Sequence, residues 1–302
     1  SHPQEATSER KEQKGEGSGA GEEVADLAVE GSADRGEGGE AHRAGAVVLQ
    51  HREVDHGHSD ELRQAGEGHP AFGEQLARAR MVREISARLG REVALLADLQ
   101  GPKIRVERFE SGGAELTPGD EFTLDAEDVR TPGDRHRVGV SYPGLPGDVK
   151  PGDTLLLDDG LIAMRVEAVE GGKVRCRVEH GGMLKDRKGL NLKGGGLSIS
   201  GLAEHDLPHI DLAARMGVDY LAVSFVSDER DMNHARKLLR KAGSEAALVA
   251  KIERMEGVQN LEEICEAADV IMVARGDLGV EIGDEELPGL QKRIIRTALK
   301  HN

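Results

Sequence analysis

The sequence predicts an α/β fold: part of a (β/α)8 barrel interrupted by a small all-β module. Three observations predict it. From about residue 76, short apolar runs alternate with helical periodicities, as in βα units that build a parallel sheet. Val93-Ala94-Leu95-Leu96-Ala97 is an unbroken apolar run, which suits a parallel strand buried on both faces. Between about residues 106 and 200 the pattern changes to short alternating segments divided by Pro-Gly-Asp and Gly-Gly turns.

The first part of the chain is unlike the rest. Residues 1–75 are rich in Gly, Glu, Ala, His and Arg and poor in large apolar side chains. They are read as a disordered or aberrant N-terminal region, with the composition of a GC-rich gene translated from a wrong frame or start. Ala46-Val47-Val48-Leu49 has the look of a short strand. His51, His56, His58 and His69 are irregularly spaced and do not form a metal motif. From about Gln75, Leu76, Ala79, Val82, Ile85 and Leu89 repeat at helical spacing, and Gly90 stands where a C-terminal cap belongs. The strand over 93–97 follows.

The inserted module spans 106–200. Its expected strands include Glu121-Phe122-Thr123-Leu124, Thr154-Leu155-Leu156-Leu157 and Val174-Arg175-Cys176-Arg177-Val178. The turns Thr117-Pro118-Gly119-Asp120 and Lys150-Pro151-Gly152-Asp153 hint at an internal repeat, without a sustained period. After Glu204 the βα alternation resumes. Helices are expected over 206–216, 228–242, 258–267 and 287–300, and strands over 220–226, 247–252 and 270–274. The barrel part therefore comprises 76–105 and 201–302.

Composition excludes several classes. A formal net charge of −16 argues against an electrostatic nucleic-acid binder. Aromatics at 2% leave no stacking platform for single strands. No apolar run reaches membrane-span length and no signal-peptide core is present. Cys176 and Cys265 lie far apart and read as reduced thiols of a cytoplasmic protein.

In such barrels chemistry collects where strands end. Lys251 and Glu253 are two apart on one strand, so both face one side. Asp277 lies one βα unit further on, at the next strand end. The two carboxylates suit a hard cation such as Mg²⁺, which leaves positions for water and substrate oxygens. Lys251 beside them is a point charge for a phosphate or a developing oxyanion. Backbone N–H groups at the Arg275-Gly276-Asp277 junction suit a carboxylate or phosphate. A lone Lys-Ile-Glu or Arg-Gly-Asp is usually a strand exit or a turn. Their occurrence in successive strand ends, below a Gly-Pro-Lys strand end, is what carries weight.

Ala-Asp-Leu-Gln-Gly-Pro-Lys-Ile-Arg at 97–105, Leu-Asp-Asp-Gly-Leu at 157–161 and Lys-Gly-Leu-Asn at 188–191 stand in this order. Ala-Val-Ser-Phe-Val at 222–226, Val-Ala-Lys-Ile-Glu at 249–253 and Met-Val-Ala-Arg-Gly-Asp-Leu-Gly at 272–279 follow. Together they resemble pyruvate kinase, over about 82–302. The resemblance implies a TIM barrel with a small β-barrel lid domain, and phosphoryl transfer from phosphoenolpyruvate to ADP. It implies Lys251 as the catalytic cation and Glu253 and Asp277 as ligands of Mg²⁺, with Mn²⁺ as an alternative. Ala274, Arg275, Gly276, Asp277 and Ser224 would bind substrate, and Arg105 and Lys188 the nucleotide. Asp159 carries over weakly from the lid motif. Asp98 and Lys103 fall in the monovalent-cation region. Lys103, with Leu99 and Gln100 beside it, marks members that do not require K⁺. Family members are homo-oligomers, commonly tetramers.

The family's Arg-x-Asn-x-Ser-His-Gly motif is not found upstream of residue 82; Asp55-His56-Gly57 is only an echo. The chain stops at His301-Asn302, ahead of further family strands. Four strand ends are expected, with exposed sheet edges and poor solubility or oligomerisation as the consequence. Two other readings stay open. One is another Mg²⁺-dependent phosphoenolpyruvate or pyruvate barrel enzyme, such as a lyase. The other is a non-catalytic fragment that binds a partner or ligand.

Overall fold

The structure, a computed structural model, describes residues 45–50 and 70–301. The low-hydrophobicity start and the His cluster fall outside the described residues. Strand β1 (Gly45–Gln50) precedes helix α1 (Pro70–Leu89) and strand β2 (Val93–Asp98). The module then contributes β3 (Gly113–Leu116), β4 (Glu121–Asp125), β5 (Arg137–Gly139), α2 (Leu145–Asp148), β6 (Thr154–Leu157), β7 (Ile162–Glu170), β8 (Lys173–His180), β9 (Gly182–Lys185) and β10 (Leu190–Leu192). A 3₁₀ turn, Glu204–Asp206, leads into α3 (Leu207–Met216), β11 (Tyr220–Val223), α4 (Glu229–Lys241) and β12 (Ala247–Ile252). The chain continues through α5 (Met255–Gln259), α6 (Leu261–Ala267), β13 (Val270–Val273), α7 (Arg275–Ile282) and α8 (Leu287–Ala298).

Five strands form one parallel sheet in the order β1-β2-β11-β12-β13. This corrects the sequence reading at its start. Gly45–Gln50 pairs in register with Val93–Asp98, so a strand lies within the region read as irregular, and among the described residues the parallel sheet has five strands where four strand ends were expected. A polar stretch after the strand hid its place in the sheet. Helix α1 also begins earlier, at Pro70, a residue suited to a first helical turn. It ends as expected: Gly90 at φ +61° closes the helix, with Gly90 N–H donating to Ala87 O and Arg91 N–H to Ser86 O. Ile85 and Leu89 of the expected apolar stripe stay exposed, while Ala79 is buried.

Strand alternation sorts side chains onto two faces. Leu95, Ala97, Leu221, Val223, Leu248, Ala250 and Ile252 join the core under the helices. Leu96, Ala222 and Val249 pack on the other face, with Tyr220, Val270 and Met272 against them. Asp98, Ser224 and Lys251 are in phase with this second set, so the polar strand ends share the face opposite the helices.

At the opposite strand ends, two clasps repeat. Asp219 accepts from Leu95 N–H at 2.6 Å and from Arg83 Nη2 at 2.8 Å. Asp269 accepts from Leu248 N–H at 2.7 Å and from Arg236 Nη1 at 3.1 Å. Each ties a strand to its neighbour and to the helix of the preceding unit.

The module has its own core, built on Phe122, Leu124, Leu155, Leu157, Met164 and Val174. Six strands run in the order β10-β6-β7-β8-β4-β5, and β3 pairs with β9. The two Pro-Gly-Asp turns share one construction. In each, glycine takes a positive φ, +95° at Gly119 and +99° at Gly152, and the Asp side chain accepts from the first residue's N–H.

Two expected elements are shorter or broken. β11 stops at Val223, because Phe225 turns to φ +54°. The helix expected over 258–267 is split into α5 and α6 at Asn260.

Candidate active site

Lys251, 14% exposed, stands on the sheet face opposite the helices, in phase with Val249. Its Nζ lies 3.1 Å from both Asp98 carboxylate oxygens, 3.0 Å from Ser224 Oγ and 3.1 Å from Glu253 Oε1. Three adjacent strands thus deliver Asp98, Ser224 and Lys251 to one spot. Burial works against the ammonium, but the Glu253 and Asp98 carboxylates outweigh it and hold its pKa above the ordinary lysine value.

Glu253 is 2% exposed. Its Oε2 accepts from Phe225 N–H at 2.6 Å. The left-handed Phe225 backbone, uncommon for a bulky side chain, is what aims that N–H. Burial raises the Glu253 pKa, Lys251 opposes it, and the nearby Asp277 carboxylate raises it further. The Ser224 hydroxyl donates a hydrogen bond to Leu99 O at 2.7 Å. Gly101, at φ +68°, lies so close that a Cβ there would come within 2.8 Å of Ser224 Cβ.

Asp277 lies in the first turn of α7, after Ala274, whose N–H donates to Ile252 O. Arg275 and Gly276 are exposed beside it, and Asp277 is half-buried. Lys103 Nζ is 2.9 Å from Asp277 Oδ1 and 3.9 Å from Asp159 Oδ1. The Asp277 carboxylate lies near enough to act on Glu253 electrostatically, which makes the two candidate hard oxygen donors. Among the described residues no group of three or more His, Cys, Asp or Glu side chains gathers as a metal cage. Two carboxylates fit Mg²⁺, which keeps much of its shell for water and substrate.

Of the two residues expected at a nucleotide, Arg105 stands at the junction with the module, bridged to Gly189, and Lys188 lies inside it. Arg105 Nη1 donates to Arg187 O at 3.0 Å, and Lys188 Nζ is 2.8 Å from Asp158 Oδ1. Asp158, Asp159 and Gly160 all have positive φ, and a Cβ at Gly160 would approach Val280 of α7 at 3.9 Å. The turn carrying Asp159 thus overhangs the helix carrying Asp277. A cavity of about 580 Å³ lies elsewhere in the module, lined by residues such as Glu110, Glu115, Asp134 and Arg135. None of Asp98, Ser224, Lys251, Glu253 and Asp277 lines it, so it is separate from this cluster.

Sequence reasoning missed a row of side chains that hold the module's return segment. Arg254, 3% exposed, donates to Leu197 O and, at 2.9 Å, to Ile199 O. Asp231 accepts from Ser200 Oγ at 2.9 Å, and Gly196 N–H donates to Glu256. Glu281, 4% exposed, accepts from Met255 N–H at 3.0 Å. Their only signal in the sequence was position, directly after Lys-Ile-Glu and one turn after Asp277. Among the described residues, no helix is long and apolar enough to cross a membrane.

Residues 66–302 match the family described as "Pyruvate kinase, barrel domain". The chain is 55% identical over 228 residues to pyruvate kinase II of Salmonella typhimurium, covering 74% of this chain and 48% of that protein. It is 51% identical over 237 residues to the pyruvate kinase of Haemophilus influenzae, covering 78% and 50%. A solved pyruvate kinase from Cryptosporidium parvum superposes with a TM-score of 0.71 at 29% identity, over 83% of this chain and 49% of that one. The chain spans about half the length of the curated relatives it matches.

Proposed function

The chain belongs to the pyruvate kinase family, and from that premise we propose that it transfers phosphoryl from phosphoenolpyruvate to ADP, forming pyruvate and ATP in glycolysis. The observation that carries the reading is the arrangement around Lys251, bonded to Asp98, Ser224 and Glu253, with Asp277 close enough to shift Glu253.

In this reading the sheet is part of a TIM barrel and the β-module is a lid. Glu253 and Asp277 hold Mg²⁺, or Mn²⁺. The cation, when bound, polarises the transferring phosphoryl and the enolate oxygen. Lys251 places a fixed positive charge where negative charge develops on the phosphoryl group and the enolate. Ser224 keeps Lys251 aimed and faces the phosphate. The backbone from Ala274 to Asp277, with Arg275 and Gly276 exposed, receives the substrate carboxylate at a helix start. Arg105 and Lys188 move from their present partners to the nucleotide phosphates as the lid closes.

Lys103 supplies a cation beside Asp277, so K⁺ is not required. The reading includes a cytoplasmic homo-oligomer with no nucleic-acid or membrane partner. Its support is a net charge of −16 and the family's habit of assembly.

The test is pyruvate formation from phosphoenolpyruvate, with ADP and Mg²⁺, by this chain and by a Lys251→Ala variant. ADP-dependent turnover that the substitution abolishes is expected. Absence of turnover in both, with Mg²⁺ binding intact, would favour the non-catalytic reading.

A further inference from the structure

Glu281 lies one helical turn beyond Asp277, on α7. It is 4% exposed and flanked by Val280 and Ile282. A buried carboxylate on an apolar helix face needs partners. Glu281 finds them on two other parts of the chain. Its Oε2 accepts from Met255 N–H at 3.0 Å, two residues after Glu253. The Asn191 side chain, on β10 of the module, lies near its carboxylate and favours its ionised form. Its backbone carbonyl accepts from Gly194 N–H at 3.0 Å, where the module's return segment leaves β10. One residue thus joins the helix of Asp277, the chain just past Glu253, and the returning end of the module.

We propose that Glu281 is a positioning residue that sets the pose of the β-module against the Glu253 and Asp277 carboxylates. The proposal rests on the reading that the module carries nucleotide-binding residues to those carboxylates. The geometry gives it content. Lys188 lies three residues before Asn191, so a shift of the segment from Asn191 to Gly194 displaces Lys188 directly. Neighbouring anchors hold the return segment further along, from Gly196 to Ser200 through Glu256, Arg254 and Asp231. Of the anchors on the return segment, Glu281 holds the part closest in sequence to Lys188. The carboxyl is also poised: burial pushes its pKa up to about 7, and Glu256 adds to the rise. The Met255 N–H, Arg254 and Asn191 oppose it.

The experiment compares Glu281→Ala and Glu281→Gln with the unsubstituted full chain. Amide hydrogen exchange is read at Gly194 and Met255, and at Val249 and Ala250 in β12 as a control. In the Ala variant, exchange at Gly194 and Met255 is expected to quicken by about tenfold, with β12 unchanged. The Gln variant keeps an acceptor oxygen and is expected to hold protection within about threefold of the unsubstituted chain. In turnover, the Ala variant is expected to raise KM for ADP by about fivefold or more, leaving KM for phosphoenolpyruvate unchanged, with the Gln variant restoring it. Unchanged exchange at Gly194 in the Ala variant overturns the proposal. So does loss of protection in β12, which would make Glu281 a general support of the fold. If exchange behaves as expected and no form makes pyruvate, the coupling stands and the reading of phosphoryl transfer fails.

Discussion

Lys103 Nζ lies 2.9 Å from Asp277 Oδ1, joining the segment after β2 to the first turn of α7. Both side chains are only about a quarter exposed, so the ammonium is a standing counter-charge to a carboxylate proposed to hold metal. A free monovalent cation then has little left to neutralise there. Turnover is expected to change by less than about twofold when K⁺ is replaced by tetramethylammonium at equal ionic strength. Lys103→Ala should lower turnover and make it respond to K⁺. Several-fold K⁺ stimulation of the unsubstituted protein would sink the idea.

Removing Lys251 has two expected effects that separate its roles. Asp98 and Glu253, 14% and 2% exposed at the side chain, lose the ammonium between them. Leaving buried carboxylates without their partner costs on the order of 3–5 kcal/mol. Lys251→Met should therefore melt well below the unsubstituted chain in metal-free buffer. Mg²⁺ should raise the melting temperature of the variant by more than it raises that of the unsubstituted chain, because the cation replaces a missing positive charge. Pyruvate formation should fall by about a hundredfold or more even at saturating Mg²⁺. Equal Mg²⁺ shifts in both proteins would contradict the shared electrostatics.

Much of the grouping around Lys251 was legible because strand alternation is a strict rule. Lys251 and Glu253 fall in phase with Val249, and Asp277 follows the next strand, so spacing alone brought them together. The partner of Lys251 was less visible. Asp98 is 153 positions away, and only the pairing of β2 with β11 and β11 with β12 makes them neighbours. Phe225 was misread as strand, since nothing in Ser-Phe-Val announces a left-handed backbone. Strand β1 was left out of the sheet because its parallel partner lies beyond a long polar stretch, and a parallel pair has no local turn to signal it. Glu281 and Arg254 were passed over because charged residues read as surface until their burial is known.

The paired clasps beneath the sheet give a test of the fold without reference to activity. Asp219 satisfies Leu95 N–H and Arg83, and Asp269 satisfies Leu248 N–H and Arg236. Asp219→Ala or Asp269→Ala leaves a strand amide without its acceptor, at a cost of about 1–3 kcal/mol each. Their direct partners are different residues, so the double variant should lose close to the sum. Denaturant melts of the four proteins measure this. A change below about 0.5 kcal/mol for either single variant would mean that water replaces the carboxylate freely.

Glu281 should leave its mark on stability against pH. Its ordinary pKa is 4.5, and in the folded chain it rises to about 7 through burial, with Glu256 adding and the Met255 N–H, Arg254 and Asn191 opposing. Between those two values the folded chain keeps a proton that the unfolded chain has released. Folding is therefore favoured at the acid end of the window and loses ground as pH rises toward 7. By linkage the loss from this group reaches about 3 kcal/mol at most. Glu281→Gln removes the titration and keeps the shape. Urea melts at pH 5, 6 and 8 should show the variant gaining on the unsubstituted chain as pH rises, with most of the gain complete by about pH 8. Parallel pH profiles for the two proteins would show that the buried carboxyl exchanges its proton in water, outside the contacts with Met255 and Asn191.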